Sequence, residues 1–263
     1  VLFGKIDWVT PIGILVGLLL FVGVPAALVS LFKKIGASHR ARGRISQIKF
    51  YEDGKVTEVE VTLTTPWEGH KEGQFAFVTF DAREGHHPFT LSSAWKNDGR
   101  LTFHIKQLGD YTRTLSHTLK VGDDVTVEGP YGRFDLANDA GPQIWVAGGI
   151  GITPFLSRLE ALADATRHDK PSITLFYSAR QSDHALIQLV ERLALQAGIP
   201  LHLSVSGKDP ALTAQTVRET APDLRGASVW FCGSSGFGDA IRKGLLKEGL
   251  PNRRFHQELF EMR

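Results

Sequence analysis

A glycine-rich turn between an apolar run and a helix start is the feature that most constrains this chain. Residues 144–154 read Ile-Trp-Val-Ala-Gly-Gly-Ile-Gly-Ile-Thr-Pro, so an apolar strand ends at a group of three glycines. Thr153 and Pro154 then begin a helix, because proline is tolerated at the first helical position. Free N–H groups at a helix start favour an anion, and glycines let the backbone approach it closely. The pattern indicates a phosphate site, although a ligand-free turn is the alternative and the spacing is not G-x-G-x-x-G.

Strands alternate with helices through the second half of the chain, which we assign to residues 141–263. The predicted strands are residues 143–147, 172–177, 201–206, 228–232 and 254–259. The predicted helices are residues 153–165, 182–197, 213–220 and 235–248. This alternation predicts right-handed βαβ units and a parallel sheet covered on both faces.

Ligands of such sheets bind beyond the carboxyl ends of the strands, so we expect a site where the predicted strands end. Arg180 follows the second strand, and its guanidinium group either binds a phosphate through two hydrogen bonds or forms a surface salt bridge. Cys232 ends the fourth strand, where a small core residue is the alternative reading. The candidate residues at these ends are Gly149, Gly151, Thr153, Pro154, Ser178, Arg180, Cys232 and Gly233.

The first half, assigned to residues 39–140, is rich in strand signals. Short runs at residues 43–50, 56–64, 74–80, 101–107 and 124–128 are separated by glycine, asparagine and aspartate clusters, which predicts a small antiparallel β-barrel. Asp53 and Gly54 predict a hairpin turn between the first two strands. Asp110 is the predicted N-cap of a helix over residues 111–118.

Three stretches of this half carry candidate binding residues, although ordinary turn chemistry is the alternative for each. In His87-Pro88-Phe89-Thr90-Leu91-Ser92, Pro88 marks a strand edge and leaves the hydroxyls of Thr90 and Ser92 facing a ligand. Lys106 precedes the segment Gly109-Asp110-Tyr111-Thr112, where a lysine, a glycine and a helix start suit a pyrophosphate. The third stretch, Gly129-Pro130-Tyr131-Gly132, is a glycine-bracketed turn at the end of the predicted barrel.

An uncharged apolar stretch, residues 8–32, precedes both halves. A helix of this length crosses a hydrocarbon core of roughly 30 Å, so we predict a transmembrane helix, with a buried helix of a soluble protein as the alternative. A basic flank follows it, beginning at Lys33 and Lys34. By the positive-inside rule the remainder of the chain lies in the cytoplasm. We assign residues 1–38 to this segment and, because the chain begins with Val1, expect further residues before it.

Composition narrows the function classes. The formal net charge of +2 provides no argument for a nucleic-acid partner. Cys232 is the single cysteine, so the chain has no internal disulfide and no cysteine cluster for an iron–sulfur centre. We predict no metal site.

The motifs occur together in one order that resembles the ferredoxin-reductase-type flavoprotein superfamily. The resemblance covers residues 42–263, and the His-Pro-Phe-Thr form is similar to the dehydrogenase module of NADPH oxidases and membrane ferric reductases. Members of that branch place the module directly after a final membrane helix. The motifs that carry the resemblance are His87-Pro88-Phe89-Thr90, Gly109-Asp110-Tyr111-Thr112, Gly129-Pro130-Tyr131-Gly132, residues 148–154, Tyr177-Ser178-Ala179-Arg180, Cys232-Gly233-Ser234 and Glu258-Leu259-Phe260.

The resemblance implies an FAD site on the predicted barrel. His87, Pro88, Phe89 and Thr90 would line the isoalloxazine and the ribityl chain, with the Thr90 hydroxyl near flavin N5. Lys106, Tyr111 and Thr112 would hold the pyrophosphate, and residues 129–134, Gly132 among them, would pass near the adenine side. Here His87 and Phe89 replace the arginine and tyrosine of the motif that soluble members usually carry.

The resemblance also implies a nicotinamide nucleotide site on the parallel sheet. Gly149, Gly151 and Thr153 would take the pyrophosphate, and Arg180 would meet a 2′-phosphate, which favours NADPH over NADH. Cys232 and Gly233 would border the nicotinamide. Phe260 would stack on the flavin until the nicotinamide displaces it, although the residues that follow Phe260 leave its freedom to move open.

The implied activity is hydride transfer from NADPH to FAD, followed by single-electron transfer to haem in membrane helices and then to dioxygen. This chain has one predicted membrane helix with no histidine in it, so the haem would be held by helices elsewhere in the same protein. A ferric reductase with the same module is one alternative. A reductase that passes electrons to a separate soluble protein is another, and a membrane-anchored nucleotide sensor without enzymatic activity is the fourth hypothesis.

Overall fold

The structure, a computed structural model, describes residues 8–31, 39–53, 55–138, 141–164, 172–180, 183–220, 224 and 226–259. The chain divides into two compact units, Val1–Arg40 and Ala41–Arg263.

Among the described residues of the first unit there is one α-helix, α1, which spans Pro11–Leu31 and encloses Pro25. It has 21 residues and no charged side chain, so at 1.5 Å per residue it is about 31 Å long. Its large apolar side chains are exposed, with Phe21 at 79% and Leu19 at 65% of full exposure. The residues from Pro11 to Leu28 have a mean hydropathy of 2.4. By length and composition this helix is able to cross a membrane.

The second unit begins with an antiparallel sheet. Its strands are β1 (Arg40–Tyr51), β2 (Val56–Leu63), β3 (Phe75–Thr79), β4 (His87–Thr90), β5 (Arg100–Lys106) and β6 (Asp124–Tyr131). The strand order is β4-β3-β6-β1-β2-β5. Helix α2, Asp110–Thr118, lies between β5 and β6 in the chain.

The prediction of a closed barrel was wrong, because β4 and β5 form the two edges of an open sheet. Strand β4 has only four residues, and Pro88 within it lacks the N–H that a further ladder requires. The chain that leaves β4 nevertheless reaches β5, since the backbone N–H of Ser92 donates to the carbonyl of Thr102 at 2.8 Å. The gap between the two edges is therefore bridged by a loop rather than by a ladder.

The register of this sheet places β-branched and aromatic side chains inside. Tyr51 pairs with Val56 across the β1–β2 hairpin, as the predicted turn requires, although Gly54 of that turn lies outside the described residues. Alternate side chains of β2 and β5, such as Val59, Val61 and Phe103, are fully buried in one apolar cluster. This alternation is the period-2 pattern of a sheet with one face on a core.

The remainder of the unit is a parallel sheet with helices. Its strands are β7 (Gln143–Gly148), β8 (Ile173–Arg180), β9 (Leu201–Ser206), β10 (Ser228–Gly233) and β11 (Phe255–Leu259). The helices are α3 (Thr153–Asp164), α4 (His184–Ala197), α5 (Ala214–Thr220) and α6 (Ser235–Lys247). These elements confirm the predicted alternation to within a few residues, except that β8 continues to Arg180 instead of ending at residue 177.

The strand order β11-β10-β7-β8-β9 creates a crevice at one edge of the parallel sheet. From β7 the chain moves to β8 and β9 on one side, and then returns to β10 on the other side. The order therefore reverses between β7 and β10, and ligands of open parallel sheets bind in the crevice outside the strand ends at such a point. The residues at these two ends are Gly148 and Gly233.

Candidate active site

A cavity of about 410 Å³ opens at this reversal point. The parallel sheet contributes the ends of β7, β8, β9 and β10, and the antiparallel sheet contributes Lys106 and Leu108. The lining residues are Lys106, Leu108, Gly148, Gly149, Ile150, Gly151, Ser178, Ala179, Arg180, Ser206, Gly233, Ser234 and Phe237. The structure thus brings Gly149, Gly151, Ser178, Arg180 and Gly233 together, as predicted from the sequence.

Two glycines of the turn have different roles in the geometry of the cavity. Gly149 has φ +54°, a left-handed conformation, and no heavy atom lies within 4 Å of where its Cβ would be. Gly151 is buried, and a Cβ there would lie 2.3 Å from the carbonyl oxygen of Cys232. The turn therefore touches the backbone of β10 at Gly151 and leaves open space at Gly149, as the close approach of a ligand requires.

Thr153 and Pro154 do not line this cavity. A single 3₁₀ turn, Gly149–Ile152, precedes α3, and both residues are buried at the helix start. Thr153 is 2% exposed. The structure confirms the helix start but leaves a direct contact of either side chain with a nucleotide as a prediction.

Two cations, Lys106 and Arg180, face the cavity. The carboxylate of Asp183 contacts both segments that carry them. The Lys106 Nζ lies 3.3 Å from Oδ1 of Asp183, which is 1% exposed. The backbone N–H of Arg180 donates to Oδ2 of the same carboxylate at 3.3 Å. The Arg180 side chain is exposed and has no carboxylate within 4 Å in the described part of the chain. Asp183 was not predicted as a site residue, although an acidic residue directly before a helix such as α4 is typical of an N-cap position.

Lys106 therefore lies on the side of the nucleotide cavity. The sequence pattern grouped it with Tyr111 and Thr112 as part of an FAD pyrophosphate site. In the structure the ion pair with Asp183 directs its ammonium group toward the glycine turn and Arg180. A contact of Lys106 with the FAD pyrophosphate stays a prediction.

The two segments predicted to bind FAD meet at a ring stack. The His87 ring lies on the Tyr111 ring with centroids 3.9 Å apart and planes 16° apart. Nε2 of His87 and the hydroxyl of Tyr111 are buried and have no hydrogen-bond partner among the described residues. Burial raises the pKa of Tyr111 to about 12. Unpartnered buried polar atoms at this stack are an argument for a polar ligand there.

Several hydroxyls near this stack already have partners within the chain. The Thr112 Oγ1 accepts the N–H groups of Leu108 and Gly109, both at 3.0 Å, so Gly109 rather than the predicted Asp110 is the N-cap residue of α2. The Ser92 Oγ accepts the N–H of His104 at 3.2 Å and is buried. The Ser92 hydroxyl therefore ties the chain after β4 to β5.

The remaining predicted FAD residues lie on β4 and at the end of β6. Pro88 is exposed, Phe89 is half-buried and Thr90 is 7% exposed. Gly132 has φ +103° and lines a separate cavity of about 500 Å³ beside Gln74. Gly132 is thus apart from the nucleotide cavity, and its role near an adenine stays a prediction.

Cys232 and Glu258 lie on neighbouring strands, and neither lines the nucleotide cavity, so the contact of Cys232 with a nicotinamide stays a prediction. They are register partners in the β10–β11 ladder, and Cys232 is fully buried. Burial raises the pKa of the thiol well above its usual value, and the nearby Glu258 raises it further. Burial also raises the pKa of Glu258 to about 7, and its Oε2 has no hydrogen-bond partner in the described part of the chain. Glu258 was not among the predicted site residues, and Phe260 lies outside the described residues.

Among the described residues no group of three or more His, Cys, Asp or Glu side chains is suited to a metal ion.

Comparison with known proteins identifies both halves of the second unit. Residues 41–135 match the FAD-binding domain family, and residues 145–243 match the oxidoreductase NAD-binding domain family. The chain is 29% identical over 197 residues to the 2-halobenzoate 1,2-dioxygenase electron transfer component of Burkholderia cepacia, covering 72% of this chain and 58% of that protein. It is 28% identical over 198 residues to the toluate 1,2-dioxygenase electron transfer component of Pseudomonas putida, with the same coverage. The chain therefore spans somewhat more than half the length of these relatives.

Solved structures share the fold. The cytochrome P450 reductase GcoB of Amycolatopsis superposes with a TM-score of 0.71 at 22% identity, covering 84% of this chain and 69% of that one. The flavohem-like FAD/NAD binding domain of nitric oxide dioxygenase from Vibrio cholerae superposes with a TM-score of 0.70 at 22% identity, covering 84% and 98%. At this identity the likeness establishes the arrangement of the two sheets.

Proposed function

Because the chain belongs to the ferredoxin-reductase-type flavoproteins, with an FAD-binding and an oxidoreductase NAD-binding domain, we propose that it is an NAD(P)H-dependent flavin reductase that passes electrons to a separate acceptor protein. The observation that carries this proposal is the cavity at the reversal point, which is lined by both domains. Lys106 and Leu108 come from the FAD-binding side, and the glycine turn and Arg180 come from the NAD-binding side. A nucleotide bound there would lie against both domains.

The residues present fit the two cofactors. The buried, unpartnered polar atoms of His87 and Tyr111 provide hydrogen-bonding groups for FAD beside β4. The glycine turn provides a cradle for a phosphate, because Gly149 leaves open space at the cavity and Gly151 packs the turn against the backbone of β10. When bound, FAD accepts two electrons with a proton from the nicotinamide and releases electrons one at a time, which a nicotinamide does poorly.

The chain itself supplies binding, orientation and exclusion of water. Lys106 and Arg180 attract the phosphates of the nucleotide, and Asp183 fixes the segments that carry both cations. Cys232 directly precedes Gly233 of the cavity wall and is fully buried behind it. Glu258, with its pKa near 7, holds or releases a proton beside Cys232 under ordinary assay conditions.

The names of the relatives support a protein acceptor. The proteins from Burkholderia cepacia and Pseudomonas putida are electron transfer components of dioxygenases, and the Rhodococcus jostii relative, 26% identical over 207 residues, is the reductase component of propane 2-monooxygenase. Each is named as one component of an oxygenase system. These names favour delivery of electrons to a separate protein over direct production of superoxide, the product expected of an NADPH oxidase.

Helix α1 favours a second form of the proposal, in which the reductase is held at a membrane. Its length, its apolar composition and the basic residues that follow it suit a membrane helix with the two cofactor domains on the cytoplasmic side. In this form haem-bearing membrane helices of the same protein are the acceptor, and dioxygen or ferric iron is the terminal oxidant.

An anaerobic absorbance titration tests the reductase proposal. The purified full chain is loaded with FAD and titrated with NADPH and, in a parallel cuvette, with NADH. We expect at least one nucleotide to bleach the flavin absorbance stoichiometrically. Failure to bind FAD, or bound flavin that stays oxidised with both nucleotides, would refute the proposal and favour a nucleotide sensor.

Acceptor competition separates the two forms of the proposal. The reduced chain is mixed in separate experiments with a soluble iron–sulfur protein, with dioxygen and with a ferric chelate. Electron transfer to the iron–sulfur protein that is faster than to the small oxidants supports a separate protein acceptor. Preferential reaction with dioxygen or the chelate supports the oxidase or ferric reductase form, and a liposome flotation assay tests the membrane attachment directly.

A further inference from the structure

A second cavity, of about 530 Å³, lies between the antiparallel sheet and helices α3 and α4. Strands β1, β2 and β5 form its floor through Tyr51, Glu58 and His104, and helix α4 forms one wall through Leu189 and Leu193. It shares no lining residue with the nucleotide cavity. The proposed electron transfer leaves this cavity without a role.

The floor of this cavity is a buried polar cluster. The Tyr51 hydroxyl donates to Oε2 of Glu58, and the His104 Nε2 lies 3.2 Å from the same oxygen. Burial alone would raise the pKa of Glu58, but the neighbouring His104, Tyr51 and Lys49 outweigh it and hold the pKa at about 2. Neither ring nitrogen of His104, a residue only 9% exposed, meets the geometry of a hydrogen bond with a described residue. A buried polar atom of this kind is stabilised when a ligand or water supplies its partner.

The charges around the cavity are unevenly paired. Glu58 is engaged at the floor, and Glu160 and Asp164 of α3 both pair with Lys96, at 3.0 and 2.9 Å. The three carboxylates that line the cavity therefore already have partners. Two further cations line the same cavity, namely Lys49 and Arg192.

Neither of these two cations has a carboxylate within 4 Å in the part of the chain that the structure describes. The Lys49 Nζ lies 4.7 Å from the centre of the Tyr51 ring, and the positive charge of Arg192 favours ionisation of the same phenol. Both charges thus converge on Tyr51. Because Lys96 pairs with both Glu160 and Asp164, only Glu58 is left to balance the two charges of Lys49 and Arg192, so one positive charge remains beside Tyr51 for an anion.

We propose that this cavity binds a small organic carboxylate, whose carboxylate group pairs with Arg192 and Lys49 and whose apolar part lies against Leu189 and Leu193. A guanidinium group presents two parallel donors that match the two oxygens of a carboxylate. The leucine side chains beside Arg192 favour a ligand with an apolar body over a bare inorganic ion. The cavity volume lies in the range of small-molecule sites.

A ligand in this cavity would connect the two domains. Lys49 belongs to the antiparallel sheet, whereas Arg192 belongs to α4 of the NAD-binding domain. His104 at the floor donates its backbone N–H to the Ser92 hydroxyl, two residues after Thr90 of the proposed flavin strand. A carboxylate bound at this site would therefore contact both cofactor domains.

Isothermal titration calorimetry on the FAD-loaded full chain in non-ionic detergent tests this inference, with benzoate as the probe. Benzamide, which has the same shape without the charge, is the matched control ligand. We expect saturable binding of benzoate that is about tenfold or more tighter than binding of benzamide. Equal affinity for the two, or no binding of benzoate, would overturn the proposal, as would binding of inorganic phosphate more tightly than benzoate.

Two variants locate the site. Arg192→Gln removes the positive charge, leaves a polar exposed side chain and is expected to weaken benzoate binding by about tenfold. Lys247→Gln removes one positive charge from the exposed last turn of α6 and is expected to leave the affinity within about twofold. Unchanged affinity in Arg192→Gln, or an equal loss in both variants, would contradict the assignment. Because no nucleotide or electron acceptor is present, this result is independent of the proposed reductase activity.

Discussion

The contact between the glycine turn and β10 at Gly151 predicts a large effect of one methyl group. In Gly151→Ala the new Cβ would lie 2.3 Å from the carbonyl oxygen of Cys232, 2.6 Å from its carbonyl carbon and 2.8 Å from the nitrogen of Gly233. Ordinary van der Waals contact begins at 3.4 Å, so the backbones must separate by about 1 Å. Strand β10 is paired on both sides, with β7 and β11, and therefore the turn moves instead of the strand.

The expected cost follows from overpacking a buried site. Insertion of a methyl group against backbone atoms that cannot yield costs about 3 kcal/mol, at the upper end of the usual range. For a unit of this size the melting temperature should fall by about 6–12 °C. A displacement of about 1 Å also misaligns the N–H groups that face the cavity, so the KM for NAD(P)H should rise about tenfold or more.

Gly149→Ala is the matched control for the melting temperature, because it adds the same methyl group two residues away where no protein atom lies within 4 Å; its KM is not compared, since this space faces the nucleotide cavity. Its cost is that of a left-handed alanine at φ +54°, about 1 kcal/mol, without a clash. Differential scanning calorimetry of the FAD-loaded chain and steady-state reduction of ferricyanide measure both effects. A Gly151→Ala variant with a melting temperature within 2 °C of wild type, about the shift that 1 kcal/mol produces, and an unchanged KM would refute the reasoning. Equal falls in melting temperature in the two variants would assign the loss of stability to backbone conformation instead of close approach.

Three further predictions concern the predicted site residues and the acid beneath them. Thr90→Ala should slow flavin reduction about tenfold in stopped-flow experiments. Thr90→Ser should retain most of the rate, since the proposed role needs only the hydroxyl. Equal rates in wild type and both variants would remove Thr90 from the site. Arg180→Ala should raise the KM for NADPH about tenfold and spare NADH, with Arg253→Ala as an exposed arginine control; equal loss for both nucleotides would exclude a 2′-phosphate role. Glu258 has a folded-state pKa of about 7, above its unfolded value, so its favourable contribution is present at pH 4.5 and is lost as the pH rises through 7. Glu258→Gln mimics the protonated acid, so it should be more stable than wild type at pH 8 by up to about 3 kcal/mol and equal to it near pH 4.5. Denaturant titration at each pH measures this difference in the free energy of unfolding. A difference that stays constant from pH 4.5 to pH 8 would contradict the assignment.

Local patterns in the chain were sufficient to predict most of the secondary structure. The α/β alternation after residue 141 gave the five parallel strands and four helices because each element is long enough to show its own period. The glycine turn and the candidate residues at the strand ends were predicted for a related reason. The carboxyl ends of parallel strands lie at one edge of the sheet, so residues that directly follow these strands lie close together. The antiparallel half was predicted less well, because whether a sheet closes depends on pairing between strands that are distant in sequence, here β4 and β5.

The two-domain order, the apolar helix α1 and the glycine turn with Arg180 can be predicted from the amino acids alone, since periodicity, composition and backbone freedom are local properties. Three contacts depend on the folded chain: Lys106 pairs with Asp183 across 77 positions, His87 stacks on Tyr111, and Glu258 lies beside Cys232 with a raised pKa. The fold also brings Lys49, His104 and Arg192 to one cavity. Each of these contacts depends on burial and on distances between segments that are remote in the sequence. The sequence around a charged residue does not show which partner the folded chain places beside it.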